Sequence, residues 1–322
     1  MKEPYLVLLY YCYTNISNPN KFREKHHLFC IDNNLKGRII VSKEGINGTV
    51  SGKKNDCENY MKKIYSDIRF KNVEFKIAKY PKNVFNKLNV RLKKEIVNSG
   101  IKNIDPNKLS GKYIEPKEFK SILKNNDDDV VILDIRSNYE YNVGKFKNAI
   151  TLDIENFREF QAKIDELKKI KNKKIITYCT GGVKCEKASG FLLKKGFKNV
   201  YQLHGGIIKY GIEEDGYDFE GKCYVFDNRL TVNINKSNPS VISKCYITGE
   251  LSDRMVNCAN PECNIHVPMS ENGAKLFKGC CSKFCMKNEK TRTYNGSGSY
   301  QKSLNGYNPF IGYKNKSRKI KS

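Results

Sequence analysis

Acidic residues are scarce in this chain: 34 Asp and Glu stand against 59 Lys and Arg, a formal charge of +25 over 322 residues. The surplus points to a polyanionic partner, with nucleic acid the first candidate, although the abundance of Lys, Asn and Ile also fits a genome-wide compositional bias. Long apolar runs are missing as well. Tyr5-Leu-Val-Leu-Leu-Tyr-Tyr-Cys-Tyr13 is too short to cross a bilayer and has no small-residue cleavage site after it. Neither a membrane span nor a secretion signal is expected, and a cytoplasmic location follows. Histidine is rare, with four in all. No trio of two His and one carboxylate suited to non-haem iron is recognisable, and no flavin site is evident. His26 and His27 fall inside a helical stretch with no acid or Cys at ligand spacing, so they read as surface or packing residues.

Cysteine is not scarce. There are twelve, with a dense cluster in the last third. Without a secretion signal, that pattern favours reduced thiols, a metal site and a catalytic cysteine over a disulfide framework.

The chain divides into five stretches. Residues 1–80 read strand, helix, strand, strand, helix, strand, the order of a ferredoxin-like split βαβ unit. Glu44-Gly45 marks a hairpin, a helix covers roughly 54–66, and Val73–Ile77 alternates as the last strand. Residues 81–115 form a basic connector in which Arg91, with Lys93 and Lys94, is either a solvated edge or a phosphate contact near the site. Residues 116–220 alternate short strands and helices, implying a mainly parallel α/β sheet covered on both faces. Within them, Val130–Asp134 is a buried strand, Gly144–Ala149 a loop and Phe157–Lys169 a helix. Residues 221–286 are cysteine-rich, and 287–322 form a basic tail.

The centre of interest is Cys179-Thr-Gly-Gly-Val-Lys-Cys185. It follows a candidate buried strand, Lys174–Tyr178, and precedes a helix from Glu186 to Lys195. A cysteine between a strand end and a helix N-terminus meets unpaired N–H groups, which favour the thiolate and create a nucleophile. The amides from Thr180 through Gly181, Gly182, Val183 and Lys184 can cradle an anionic adduct or a persulfide. The plain alternative is an inert buried Cys beside a turn. Asp134-Ile-Arg136 sits just past a strand end, where α/β folds build sites, and reads as a structural ion pair or a catalytic one. Cys185 is either a resolving partner for oxidised Cys179 or a packing residue. Asn47 and Gly48 either approach the pocket or simply make their turn.

Asp134-Ile-Arg136, Glu140-Tyr141, Gly144…Ala149, the Cys179 loop and Leu203…Gly205-Gly206 together resemble a rhodanese domain. Ser42-Lys-Glu-Gly-Ile-Asn-Gly-Thr-Val-Ser51, Cys179–Ser189, Gly221-Lys-Cys-Tyr-Val-Phe-Asp227 and Asn257-Cys-Ala-Asn-Pro-Glu-Cys-Asn264 narrow the likeness. They resemble the bacterial rhodanese-like tRNA uridine hydroxylases over about residues 3–286. The resemblance implies oxygen-dependent conversion of the wobble uridine, position 34, to 5-hydroxyuridine, with Cys179 essential, dioxygen as co-substrate and the tRNA anticodon stem-loop as partner. A sulfurtransferase carrying a persulfide on Cys179 is the alternative, and a noncatalytic RNA-binding platform is a third reading. The hydroxylase reading requires the Cys179 sulfur to be exposed at the floor of a basic hollow.

Cys245, Cys258, Cys263, Cys280, Cys281 and Cys285, with His266, crowd one 41-residue interval. Close pairs of cysteines aim two ligands at one ion. Cys258/Cys263 and Cys281/Cys285 are such pairs and can hold one structural zinc; Cys280 or His266 replacing one ligand, or metal-free core thiols, are the alternatives. The relatives' pattern implies an interleaved two-zinc arrangement. Here Thr248 stands where a C-x-x-C pair with Cys245 needs its second ligand, and no Cys lies near Pro268–Glu271, so one whole site is expected to be lost. After residue 286, nine Lys or Arg accompany the single acid Glu289. Disorder or partial docking is expected there, with Tyr294, Tyr300, Tyr307, Phe310 and Tyr313 either stacking on anticodon bases or anchoring the tail.

Overall fold

A computed structural model describes residues 4–125 and 127–296. The first sheet follows the expected order through β1 (Tyr5–Tyr13), α1 (Pro19–Asp32), β2 (Lys36–Ser42), β3 (Gly45–Gly52), α2 (Lys54–Tyr65) and β4 (Lys76–Tyr80). Its strands lie side by side as β4-β1-β3-β2, the ferredoxin-like arrangement. The Asn18 side chain accepts from Lys21 N and Pro19 takes the first helical position, which starts α1. Gly45, at φ +143°, closes the β2–β3 turn where a Cβ would come within 2.0 Å of the Cys12 carbonyl. Leu8, Tyr10, Val50 and Tyr60 pack between sheet and helices. His26 is part of that packing: Nε2 lies 2.8 Å from the Tyr60 hydroxyl. β4 starts later than the alternation over Val73–Ile77 indicates, because a 3₁₀ turn at Ile68–Phe70 carries on into a Val73 N–H bond to the Phe70 carbonyl.

The segment read as a connector supplies a strand to each neighbouring sheet. β5 (Leu88–Leu92) pairs in parallel with β2, and β6 (Lys112–Ile114) pairs in parallel with β11 (Val200–Leu203). Between β6 and β11 in sequence come α3 (Pro116–Asn125), β7 (Val130–Asp134), α4 (Asn138–Tyr141), β8 (Gly144–Phe146), β9 (Ile150–Thr151), β10 (Lys174–Tyr178) and α5 (Val183–Lys194), and α6 (Gly206–Glu213) follows β11. The second sheet has the order β6-β11-β10-β7-β9 and is parallel throughout. Both faces are covered: Ile175 joins Leu133 and Leu192 on one side, and its neighbour Ile176 joins Phe119 and Ile207 on the other. Phe157–Ile170 is wound as a 3₁₀ helix, not the α-helix its apolar pattern suggests. Its buried Phe157 and Phe160 are three apart, the spacing that a three-residue turn stacks on one face. Gly144–Phe146, read as loop, forms a short strand because it pairs with β12 (Phe219–Tyr224).

β12 also pairs with β13 (Thr231–Asn233), and a hairpin of β14 (Met255–Asn257) and β15 (His266–Pro268) carries the cysteine-rich region with α7 (Glu271–Leu276) and α8 (Lys283–Met286). Tyr294 is docked: its hydroxyl accepts from Arg254 Nη2 at 2.8 Å. Tyr300, Tyr307, Phe310 and Tyr313 lie outside the described residues. Among the described residues no helix is long and apolar enough to cross a membrane.

Candidate active site and metal centre

β10 ends at Tyr178 and hands the chain to a loop held from two sides. On one side Gly182, at φ +98°, caps α5 and donates its N–H to Cys179 Sγ at 3.2 Å. On the other, the first turn of α6 takes the loop carbonyls: Ile207 N bonds Cys179 O and Ile208 N bonds Thr180 O, both at 3.0 Å. Gly206 makes that approach possible, since a Cβ there would sit 2.4 Å from the Cys179 carbonyl oxygen. The loop carbonyls are thus turned away and its amides face the sulfur.

Burial by itself pushes the Cys179 thiol up. It is outweighed by the Cys185 thiol, the Lys184 charge and the Lys184 and Gly182 amides, which leave Cys179 lowered to about 6. Burial and the neighbouring Cys179 push Cys185 well above its ordinary value, so the pair is a thiolate accepting from a thiol. The Lys184 ammonium lies 2.6 Å from Glu140 Oε2. The same oxygen accepts from Ser137 N at 3.1 Å in the capping box that opens α4. Lys184 is thereby fixed near the sulfur by a fully buried carboxylate.

Asp134 and Arg136 are both fully buried and paired twice, Nε to Oδ1 at 2.9 Å and Nη2 to Oδ2 at 2.6 Å. Arg136 Nη2 also donates to the Gly144 carbonyl at 2.7 Å, tying the end of β7 to β8. The guanidinium is consumed by these contacts and by the Tyr178 and Phe219 rings on either side. Arg91 is exposed on β5, opposite Ile40 and with Arg38 as a charged neighbour. Asn47 donates to the Ile96 carbonyl at 3.0 Å, and Gly48 lies against the Tyr10 ring; both serve the first sheet.

The expectation of an exposed sulfur is not met. Cys179 is 1% exposed. Its side chain is part of the second sheet's own core, and β1 of the first sheet packs over the loop that follows it. Leu9 Cδ2 is 3.0 Å from where a Cβ on Gly181 would lie, and the Tyr11 hydroxyl is 3.0 Å from the same point on Gly182. The Tyr11 hydroxyl donates to Glu186 Oε1 at 2.8 Å, the Tyr13 hydroxyl donates to the Val183 carbonyl at 3.2 Å, and Lys187 is held by Glu44 at 2.8 Å and Glu95 at 2.9 Å. Both loop glycines therefore serve a close approach between sheets. Sequence reasoning missed these covering residues, although β1 carries large side chains on both faces, the mark of a strand buried on both sides.

The four cysteines Cys258, Cys263, Cys281 and Cys285 have their sulfurs within 4.8 Å of one another. The Cys263–Cys281 and Cys281–Cys285 separations are 3.6 and 3.7 Å. A tetrahedron with metal–sulfur bonds of about 2.3 Å has edges of about 3.8 Å, so the donor set fits one zinc and leaves it no open position. The alternative ligands fall outside this group. His266 Nδ1 pairs with the Tyr224 hydroxyl, and Cys280, though its thiol bonds to Cys258 and to the Lys278 carbonyl, is not one of the four mutually close sulfurs. Arg292 clamps the cluster's backbone, Nη2 to Cys258 O at 2.9 Å. Where a second ion was expected to be lost, Cys245 Sγ accepts instead from Ser270 Oγ at 3.3 Å and Thr248 N at 3.4 Å.

Three family models together cover most of the chain: a UPF0176 acylphosphatase like domain over residues 5–96, a rhodanese-like domain over 115–213 and a rhodanase C-terminal region over 220–286. A tRNA uridine(34) hydroxylase of Cytophaga hutchinsonii is 57% identical, over 97% of this chain and 99% of that protein. Proteins of the same name from Bacillus licheniformis and Staphylococcus aureus are 48% and 46% identical, over 87% and 89% of this chain and 88% and 91% of their own. With such identity along almost the full length, and with the cysteine loop and the four-thiolate group both formed, the chain belongs to the tRNA uridine(34) hydroxylase family.

Proposed function

We propose that this protein hydroxylates C5 of the uridine at position 34 of tRNA, with dioxygen as co-substrate, 5-hydroxyuridine as product and Cys179 as the reacting thiolate. The observation that carries the reading is a cysteine lowered to about 6 beside the inward-facing amides of Gly182 and Lys184, in a chain 57% identical to a protein bearing that name. The sulfur adds to C6 of the pyrimidine; the C5=C6 electron pair shifts toward O4 and makes C5 electron-rich. That carbon then reacts with dioxygen. One oxygen atom stays on C5 and the other leaves as water, with two electrons and two protons from an external donor of the cellular thiol class. Loop amides and Lys184 hold the thiolate, and the Asp134–Arg136 pair holds the floor beneath it.

A base reaches this sulfur only after leaving its stack and after Leu9, Tyr11 and Tyr13 draw back. The anticodon stem-loop is the partner assigned, with Arg91 and the basic tail as phosphate contacts. One zinc on Cys258, Cys263, Cys281 and Cys285 stabilises the C-terminal region, and the working compartment is the cytoplasm. A second reading, a persulfide carried on Cys179, is favoured by the same amides, which suit a persulfide anion equally. Nucleoside mass spectrometry of tRNA from cells lacking the gene, complemented with wild type or Cys179→Ser, separates them. The hydroxylase reading expects 5-hydroxyuridine restored by wild type alone. Unchanged nucleosides together with cyanide-accepting sulfur turnover would overturn it.

A further inference from the structure

Among the buried cations that the chemistry above leaves unused, Lys187 and Lys209 each hold two carboxylates at close range and Lys76 does not. Lys76 opens β4, is 6% exposed, and has its ammonium 5.1 Å from the centre of the Tyr11 ring. Its carboxylate neighbour, Glu74 Oε2, is 3.4 Å away. These contacts are loose for an ammonium at such depth, whose three donors normally find oxygens at about 2.7–3.2 Å. Glu74 is also divided among competitors: its other oxygen holds Lys209 at 2.9 Å, and Oε2 faces His204 at 3.4 Å as well. Lys209 has Glu115 besides, at 3.1 Å. Lys76 is the member of this group left short of acceptors.

It is left short beside a space. A polar cleft of about 210 Å³ opens between the first and second sheets, walled by Tyr11, Tyr13, Lys76, Tyr113, Glu186 and His204. Tyr11, Tyr13 and Glu186 are the same groups that close over the cysteine loop, so cleft and loop share a wall. The two charges also feel each other: the Cys179 thiolate partly offsets the burial that lowers Lys76. A cleft this size admits one small ring. Tyr113 gives that ring a flat apolar surface, the space joins the cysteine loop once Tyr11 and Tyr13 draw back, and the nearest oxygen to the Lys76 donor, Glu74 Oε2 at 3.4 Å, is shared with His204.

We propose that Lys76 is a catalytic residue of the hydroxylation, contributed by the first sheet, whose ammonium donates to O4 of the uracil that enters this cleft. The inference rests on the Cys179 reading above. When the sulfur–C6 bond forms, the C5=C6 pair moves through C4 onto O4, and one negative charge passes from sulfur to that oxygen. Lys76 holds the charge by hydrogen bonding and keeps its own protons. Reversal returns the electron pair to sulfur and restores the ring. A cation fixed beside the ring stabilises such an oxyanion without reorganising at the moment of addition.

The test uses the full-length protein and an anticodon stem-loop RNA, with four readings: turnover at saturating RNA, anoxic exchange of the C5 hydrogen for deuterium, RNA affinity, and the pH midpoint of Cys179 alkylation. Lys76→Met is expected to lower turnover and exchange by about 10²-fold. RNA affinity stays at its wild-type value, the alkylation midpoint rises only slightly because the Cys179 charge is the smallest of the influences on Lys76, and Lys76→Arg keeps part of both rates. Wild-type turnover and exchange in Lys76→Met would overturn the proposal. So would a loss explained by weaker RNA binding, or by a raised alkylation midpoint, which would make Lys76 a tuner of the thiolate. If the methionine variant does not fold, Lys76→Gln, which keeps a donor and loses the charge, is expected to lower both rates by less than Lys76→Met would, and wild-type rates in it would overturn the proposal. A wild-type protein that yields neither product nor exchange defeats the hydroxylase reading itself, a result distinct from any failure confined to Lys76.

Discussion

The Tyr11 hydroxyl donates to Glu186 Oε1 at 2.8 Å, so a strand of the first sheet is bonded directly to the helix that begins beside the reactive cysteine. Tyr113 donates to the same oxygen at 2.6 Å, and Gln202 Nε2 holds the other at 2.9 Å. Glu186 is thus a shared acceptor at the junction of the sheets. Removing one contact loosens the cover without touching the cysteine. Tyr11→Phe, or Glu44→Gln combined with Glu95→Gln, is expected to raise the rate of Cys179 alkylation by about tenfold. That is the population change for a contribution near 1.4 kcal/mol to closure. Peptide mass spectrometry after timed iodoacetamide exposure reads it; an unchanged rate would show that the sheets do not part there.

Cys179 is lowered from 9.0 to about 6, so its thiolate forms as pH rises through 6 and is essentially complete above 7. Its alkylation rate should climb through that window and then level off, whereas an ordinary thiol keeps climbing past 8. A group lowered on folding stabilises the fold above its unfolded value, and that contribution fades as pH falls from about 9 toward 6. Lys184→Met removes one of the lowering influences, so its midpoint moves upward. A midpoint that stays near 6 in that variant would assign the effect to Cys185 and the amides alone.

The four-thiolate group should bind one zinc per chain. Elemental analysis of purified protein is expected to give one equivalent, lost in Cys281→Ser and retained in Cys245→Ser, whose sulfur is occupied by Ser270 and Thr248. A strong chelator should melt the region after residue 257 at lower temperature, since filling such a site contributes folding free energy. Two equivalents in wild type would contradict the single site.

Asp134 and Arg136 form a fully buried ion pair, and breaking it leaves one charge without a partner. Asp134→Asn or Arg136→Met alone should cost about 3–5 kcal/mol in a urea melt, while Asp134→Leu with Arg136→Met together should recover much of it. Equal losses in single and double variants would mean the pair acts independently of its mutual attraction.

Much of this molecule was legible from residues. Ile175 and Ile176, adjacent and both apolar, announced a strand buried on two faces, and Gly181-Gly182 before a helical run announced the loop. The short pairs Cys258/Cys263 and Cys281/Cys285 marked the thiolate group through the local turns such spacings require. What escaped was non-local. Gly144–Phe146 has no strand pattern of its own and becomes one only because β12 comes alongside. Leu88–Leu92 reads as a charged connector until β2 presents an open edge. Lys76 and Glu74 look like ordinary surface alternation; only the packing of two sheets makes one a buried cation and the other a shared anion. The cover over Cys179 belongs to the same class, because nothing local in β1 names the loop it meets.

β5 runs alongside β2 in parallel and then carries the chain outward to Glu95, which grips Lys187 at 2.9 Å. The path from the first sheet to the second is therefore anchored at its root by backbone pairing and clasped again near the cysteine helix. Separation at the cysteine does not require the halves to part company. Val97, Ile101 and Ile104 then bury themselves in the core of the second sheet, so releasing the clasp leaves only the few residues between Leu92 and Val97 as a hinge, and the opening is a swing of limited reach that the intact strand pairing can reverse.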